Sequence, residues 1–190
     1  MSDQILTPLA ALGDHLPRVE KIGSLTIEEN PDLAMTSIAV RHGRDRDLQT
    51  LLIPALGGEL PSPGRSVFTG DVSAIWTGVG QWFLIASYAA HPDFAREIKS
   101  LVKDTASVTE QTDGWVVFDI TGNNLIPLLE RLCNVNGKAM MAGDATRCLI
   151  EHLGCLIICH ESFRKFTILG PRSSAASLHH SLVKVAHNVA

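Results

Sequence analysis

A surplus of positive charge is missing from this sequence. Lys and Arg number 16 against 20 Asp and Glu, for a net charge of −4. A nucleic-acid binder needs clustered basic side chains to neutralise phosphates, so that class of partner is excluded. Long hydrophobic runs are missing too. The cleanest, Cys-Leu-Ile-Ile-Cys over 155–159, is strand-sized and far short of the ~20 residues that cross a bilayer. The N-terminus lacks a basic stretch followed by an apolar one, which predicts a cytoplasmic rather than a secreted protein. No low-complexity segment, disordered charge run or internal repeat is visible. Three catalytic signatures are absent as well: a Walker motif, an H-E-x-x-H helix and a G-x-S-x-G elbow.

What is present is a globular composition, 45% apolar and 19% charged over 190 residues, enough for one sizeable core or two small lobes sharing one. The slight apolar excess fits a surface hidden against a partner as well as it fits an ordinary core.

The four cysteines, Cys133, Cys148, Cys155 and Cys159, read as reduced thiols in a chain without a secretion signal. Soft ligands do crowd together at Cys148, Cys155, Cys159 and His160. Yet Cys155 and Cys159 fall in a strand-like run, where positions i and i+4 sit roughly 13 Å apart at about 3.3 Å per residue. One zinc ion needs sulfurs far closer, so buried small hydrophobes are the stronger reading. Cys133 ends a helix, where the dipole disfavours a thiolate.

Six of the nine prolines lie in the first seventy residues, with expected strands at 25–28 and 34–41 and an amphipathic helix over 47–56 stopped by Gly57-Gly58. This part reads as an N-terminal arm or small lobe, residues 1–65. From 66 to 190 the pattern is regular. Strands are expected at 72–76 and 82–86, then a helix over 91–102 with Phe94, Ile98, Leu101 and Val102 in one stripe. A hairpin of 106–111 and 115–121 is expected around Thr112-Asp113-Gly114, because Asp-Gly favours a tight turn. A helix over 123–132, a loop over 134–144 and strands at 146–152, 155–160 and 165–169 follow. A last helix runs over 172–187, capped by Ser173 or Ser174. The order predicts an α+β fold with antiparallel strands, helices on one face and a ferredoxin-like split βαβ core.

Candidate chemistry is thin, and the sequence assigns no catalytic, cofactor-binding or metal-binding residue. Thr77-Gly78-Val79-Gly80-Gln81-Trp82 begins like a nucleotide fingerprint, but Phe83 fills the third glycine position and a strand follows, so a tight turn is the better reading. Glu151-His152 and His160-Glu161 could serve acid–base work, but adjacent strand residues point to opposite faces. His179-His180 diverge by about 100° on a helix. Ser162, Ser173, Ser174 and Ser177 have no base positioned beside them.

Three segments together resemble the gamma subunit of bacterial heterotetrameric sarcosine oxidase. One is Trp76-Thr77-Gly78-Val79-Gly80-Gln81-Trp82-Phe83, a glycine-rich turn before a Trp-aliphatic strand. The second runs from Val108 through Asp113-Gly114-Trp115 to Gly122 and on into Leu128-Leu129-Glu130-Arg131-Leu132-Cys133. The third is Pro171-Arg172-Ser173 before the final helix. The resemblance extends over about residues 66–187.

The resemblance implies the fold of the folate-binding aminomethyltransferase domain and the role of a non-catalytic accessory subunit. The complex is an oxidoreductase that demethylates sarcosine to glycine, yielding 5,10-methylenetetrahydrofolate or formaldehyde plus hydrogen peroxide. It further implies alpha, beta and delta partner subunits, with FAD, FMN, NAD and tetrahydrofolate on the larger alpha and beta subunits and no cofactor on this chain. The chain departs from the family in the loop after Cys133, where Asn136 and Met140 or Met141 replace an Asp-Leu and aromatic pattern. A complex acting on another N-methylated amine therefore stays open.

A subunit should expose an apolar patch, with Met140, Met141 and aromatic residues as candidates. Two alternatives remain. One is a free-standing folate-binding or one-carbon-transfer protein, with Asp113 or Asp119 as the carboxylate for the pterin; the other is an unrelated α+β scaffold.

Overall fold

The computed structural model describes residues 9–190. Two antiparallel sheets are stacked face to face, with helices on their outer sides. The six-stranded sheet has the order β1-β2-β8-β11-β10-β9, built from β1 (Val19–Ile22), β2 (Leu25–Glu29), β8 (Trp115–Gly122), β9 (Ala145–Ile150), β10 (Leu153–Glu161) and β11 (Lys165–Pro171). The five-stranded sheet has the order β4-β5-β6-β3-β7. Its strands are β3 (Ala34–Val40), β4 (Ser66–Val67), β5 (Ser73–Gly78), β6 (Gln81–Ala86) and β7 (Ala106–Glu110).

Helices α1 (Asp45–Leu56) and α2 (Phe94–Val102) cover the five-stranded sheet through Leu48, Leu52, Leu56, Phe94, Ile98 and Val102. Helices α3 (Leu125–Leu132) and α4 (Ala175–Val189) cover the other through Leu125, Leu129, Leu178 and Leu182. Between the sheets lies a third apolar layer, where Met35, Ile75 and Phe83 meet Val117, Leu156 and Leu169. Strands buried on both faces lose the alternation of a half-exposed sheet, which explains the unbroken apolar run in β10.

The helices are therefore not on one face of one sheet, as the element order suggested, but on the outer faces of two. The expected hairpin at 112–114 is also corrected. β7 pairs with β3, whereas β8 lies between β2 and β11 in the other sheet. Residues 112–114 form a short 3-10 turn that carries the chain between sheets. Asp-Gly supplied a turn, but the flanking strands found better partners than each other.

The strand expected over 146–152 instead breaks at Glu151 and His152, both at positive φ (45° and 73°). They are the central residues of a two-residue hairpin loop joining Ile150 to Leu153, the signature of a type I′ turn. Neither Ser173 nor Ser174 caps α4 with its side chain: Ser174 occupies the N-cap position without a hydrogen bond.

The division at residue 65 does not coincide with the sheets. β1 and β2 belong to one sheet and β3 to the other, and buried Glu29 ties the segment before β1 to β2. Its carboxylate accepts the backbone N–H of Leu12 at 3.0 Å and of Arg18 at 3.2 Å.

An internal repeat emerges that no residue pattern disclosed. β3-α1-β4-β5-β6-α2-β7 and β8-α3-β9-β10-β11-α4-β2 share one connectivity and one spatial order, β4-β5-β6-β3-β7 matching β9-β10-β11-β8-β2. Without the extra edge strands β4 and β9, each is a β-α-β-β-α-β unit. The second takes its last strand from the N-terminal end of the chain. Equivalent points of the two units meet at the bridge of Arg65 and Asp144. There Ser66 N–H donates to Gly143 and Ala145 N–H to Gly64, at 2.7 and 2.8 Å.

Candidate functional site

Among the described residues, two openings between the sheets are lined by polar side chains. At one, a cavity of about 320 Å³ opens between the ends of β8, β10 and β11 on one side and Phe68 and Ile85 on the other. Its polar wall follows from strand register. Asp119 is the cross-strand partner of Thr167, and Thr167 in turn is the partner of Ile158. His160 lies two residues beyond Ile158, inside a register shift between Cys159 and Glu161, and such irregularities re-aim side chains.

The three polar groups form a directed chain. Thr167 Oγ1 donates to Asp119 Oδ1, and His160 Nε2 lies 2.8 Å from the same hydroxyl. A hydroxyl has one proton, already given to the carboxylate, so Nε2 must be the donor to Thr167. The imidazole is thereby held as the Nε2–H tautomer, leaving a lone pair on Nδ1. Asn30 Nδ2 occupies the second carboxylate oxygen at 3.0 Å. Burial holds His160 below the ordinary histidine range, reinforced by Lys165 and opposed by Asp119. A neutral imidazole beside a carboxylate and a lysine can orient a polar ligand or carry a proton through the hydroxyl.

The second opening is a cavity of about 590 Å³ lined by Thr77, Phe83, Trp115, Arg147, Cys148 and Leu156. It adjoins one of about 340 Å³ on the uncovered face of β3 and β7. Phe83 and Trp115 meet edge to face at 5.3 Å. Trp115 Nε1 donates to Gln111 Oε1 at 3.2 Å, and Arg147 Nε donates to the Thr77 carbonyl at 3.2 Å.

The residues weighed from sequence are dispersed. Asp119 lies in the first cavity, but Asp113 is almost fully exposed, 4.0 Å from Arg172. His160 does not meet Glu161; its partner comes from β11, a relation that reading sequence neighbours could not find. His152 sits in the I′ turn. His179 is 3.5 Å from Glu20 and packs on Phe118, with burial the main cause of its lowered pKa. Ser162 donates to the Met140 carbonyl at 3.1 Å. Met140 itself is buried, so of the two methionines only Met141 belongs to the exposed surface. Thr77 to Gln81 forms the β5–β6 turn, with Gly80 at φ 66° against Val40. Thr167, Asn30 and Lys165 were missed from sequence, since only the tertiary fold brings them to the cavity that Asp119 lines.

Among the described residues, no group of three His, Cys, Asp or Glu side chains is arranged to hold a metal ion. No helix there is long and apolar enough to cross a membrane.

No family model matches the sequence, and no curated protein matches it. Solved structures do. A chain of the heterotetrameric sarcosine oxidase from Corynebacterium sp. U-96, in complex with pyrrole 2-carboxylate, superposes with a TM-score of 0.75 at 15% identity. The match covers 90% of this chain and 88% of that one. The glycine cleavage system aminomethyltransferase T from Bartonella henselae superposes with a TM-score of 0.61 at 12% identity, over 82% of this chain and 44% of that one. At such identities the likeness is one of fold: a mixed α/β architecture with antiparallel sheets, common to all three.

Proposed function

We propose that this chain is an accessory subunit of a heterotetrameric, sarcosine oxidase-type flavoenzyme. The observation that carries the reading is the nearly whole-length match, in both directions, to a chain of such a complex. The aminomethyltransferase, by contrast, is matched over less than half its length. The three motifs around Gly78–Gly80, Trp115–Gly122 and Arg172 support the same assignment from sequence. In this reading the complex also contains alpha, beta and delta subunits in the cytoplasm, and the catalytic groups, with FAD, FMN, NAD and tetrahydrofolate, reside on alpha and beta. The complex removes the methyl group of sarcosine or a related N-methylated amine.

Affinity purification of the tagged chain from its native source tests the reading. The expected result is co-purification, in fixed ratio, with larger chains showing a flavin absorption spectrum. Recovery of the chain alone, or with partners lacking flavin, would overturn it.

A second reading, a free-standing folate binder, is favoured by one feature: Asp119 faces a cavity large enough to admit part of a pterin. Both its oxygens are already engaged by Asn30 and Thr167, so pterin N–H groups would have to share them. Calorimetry of the isolated chain with tetrahydrofolate separates the readings. The subunit reading expects no binding heat; the folate reading expects heat that Asp119→Ala abolishes.

A further inference from the structure

The inner face of the five-stranded sheet changes character along its strands. Near Met35 and Ile85 it packs against the other sheet. Beyond them Ser37 sits between Phe83 and Thr109 in register, and Ala39 between Gln81 and Ser107. These short side chains floor the cavity of about 340 Å³, which shares Thr77, Phe83 and Arg147 with its neighbour of about 590 Å³. The two form one groove, walled by Phe83 and Trp115.

Arg147 faces this groove from β9. It is the cross-strand partner of Leu156, whose side chain lies in the layer between the sheets, so both are on the inner side of their sheet. Its Nε donates to the Thr77 carbonyl at 3.2 Å, which leaves the two terminal nitrogens for a ligand. Among the described residues, no carboxylate pairs with this guanidinium, and no other charged side chain lines either part of the groove. The first cavity differs: three carboxylates, Asp32, Asp71 and Asp119, line it beside Lys165.

We propose that the groove is a binding site for an aromatic monocarboxylate, with the carboxylate on Arg147 and the ring against Phe83 and Trp115. The inference does not rest on the subunit reading. Each part of the ligand follows from the lining. A planar guanidinium fixed at Nε offers parallel N–H groups from Nη1 and Nη2, which match the two oxygens of a carboxylate. One cation balances one charge, so a dianion such as a phosphate monoester would enter with charge left uncompensated. Phe83 and Trp115 meet edge to face and present ring surface, which favours an aromatic body over an aliphatic one. The Trp115 N–H is already donated to Gln111 Oε1, so the indole adds apolar contact. Ser37, Ala39 and Thr109 leave depth that longer side chains would fill.

Nitrogen-15-labelled full-length chain is titrated with 3-phenylpropionate, and the indole N–H signals are followed by NMR. The sequence has three Trp residues, and Trp115→Phe identifies the signal concerned. The expected result is a saturable shift of the Trp115 signal. Trp76 and Trp82, paired on the far side of that sheet, should not move. Neutral 3-phenylpropionamide should bind at least about tenfold more weakly, and Arg147→Gln should weaken binding of the acid by a similar factor. Should Arg147→Gln fail to fold, the comparison of acid with amide decides alone. No shift at millimolar acid, a shift of Trp82 in place of Trp115, equal binding of acid and amide, or full affinity in folded Arg147→Gln would each overturn the proposal.

Discussion

Glu29 carries more structural responsibility than its place in a short strand suggests. Only 2% exposed, it joins the segment before β1 to the six-stranded sheet through two charge-assisted backbone hydrogen bonds. Removing the carboxylate strands both N–H groups. Glu29→Ala should therefore cost about 2–3 kcal/mol, seen as a lower urea midpoint; an unchanged midpoint would show that the segment is not held this way. His160 makes a prediction about pH. Its folded-state pKa lies below the ordinary value, so between the two the unfolded chain binds the extra proton. Stability then rises with pH through the window ending near ~6.5 and is flat above it. His179, also lowered by burial, adds a slope of the same sign. Urea denaturation at a series of pH values should show a shallower slope below neutrality for His160→Gln, with part remaining from His179.

The helices were the most legible elements. Their apolar stripes at 48/51/52/56, 94/98/101/102 and 125/128/129/132 are the buried faces observed, save that Leu51 and Leu101 are half-buried, because a helix buries a stripe fixed by its own local geometry. Strands were located but not paired. Nothing within 106–122 states that β7 will join β3 and β8 will join β2, since strand partners are chosen by contacts distant in sequence. The turn at Glu151-His152 was hidden for a related reason: neither residue is one of the glycine or asparagine types that usually mark positive φ. Gly122 is the opposite case. At φ +135°, an added Cβ would lie 2.0 Å from the Ser24 carbonyl oxygen, where β8 meets the start of β2. Gly122→Ala should cost at least about 2–3 kcal/mol and lower the thermal midpoint accordingly. A change of only a few tenths would mean the backbone there yields freely.

At the scale of the molecule, the repeat accounts for the position of the N-terminal hairpin: β2 holds, beside β8, the place that β7 holds beside β3 in the first unit. The end of α4 lies close by, for an added Cβ at Gly23 would be 2.8 Å from that of Ala190. A circularly permuted chain starting at residue 31, with residues 9–30 placed after Ala190 through a flexible Gly/Ser linker, should recover the same sheet and melt cooperatively near the parent. Loss of cooperative unfolding would show that the strand is needed at its native end of the sequence. The candidate cavity belongs to this scale as well, since Asp119 and His160 meet through Thr167 only after three strands are in register.

Local physics was readable from the chain itself: the helices and their buried faces, the Gly-rich turn at 78–80, the α+β class and the net negative charge. These follow from periodicity, backbone preference and charge, each confined to a short window. Sheet membership, the two-fold repetition, the Arg147 groove and the Asp119–Thr167–His160 chain were decided only by tertiary structure. Strands β6, β10 and β11 are buried in continuous runs on both faces, so they carry uniform apolar patterns that record burial without recording a partner.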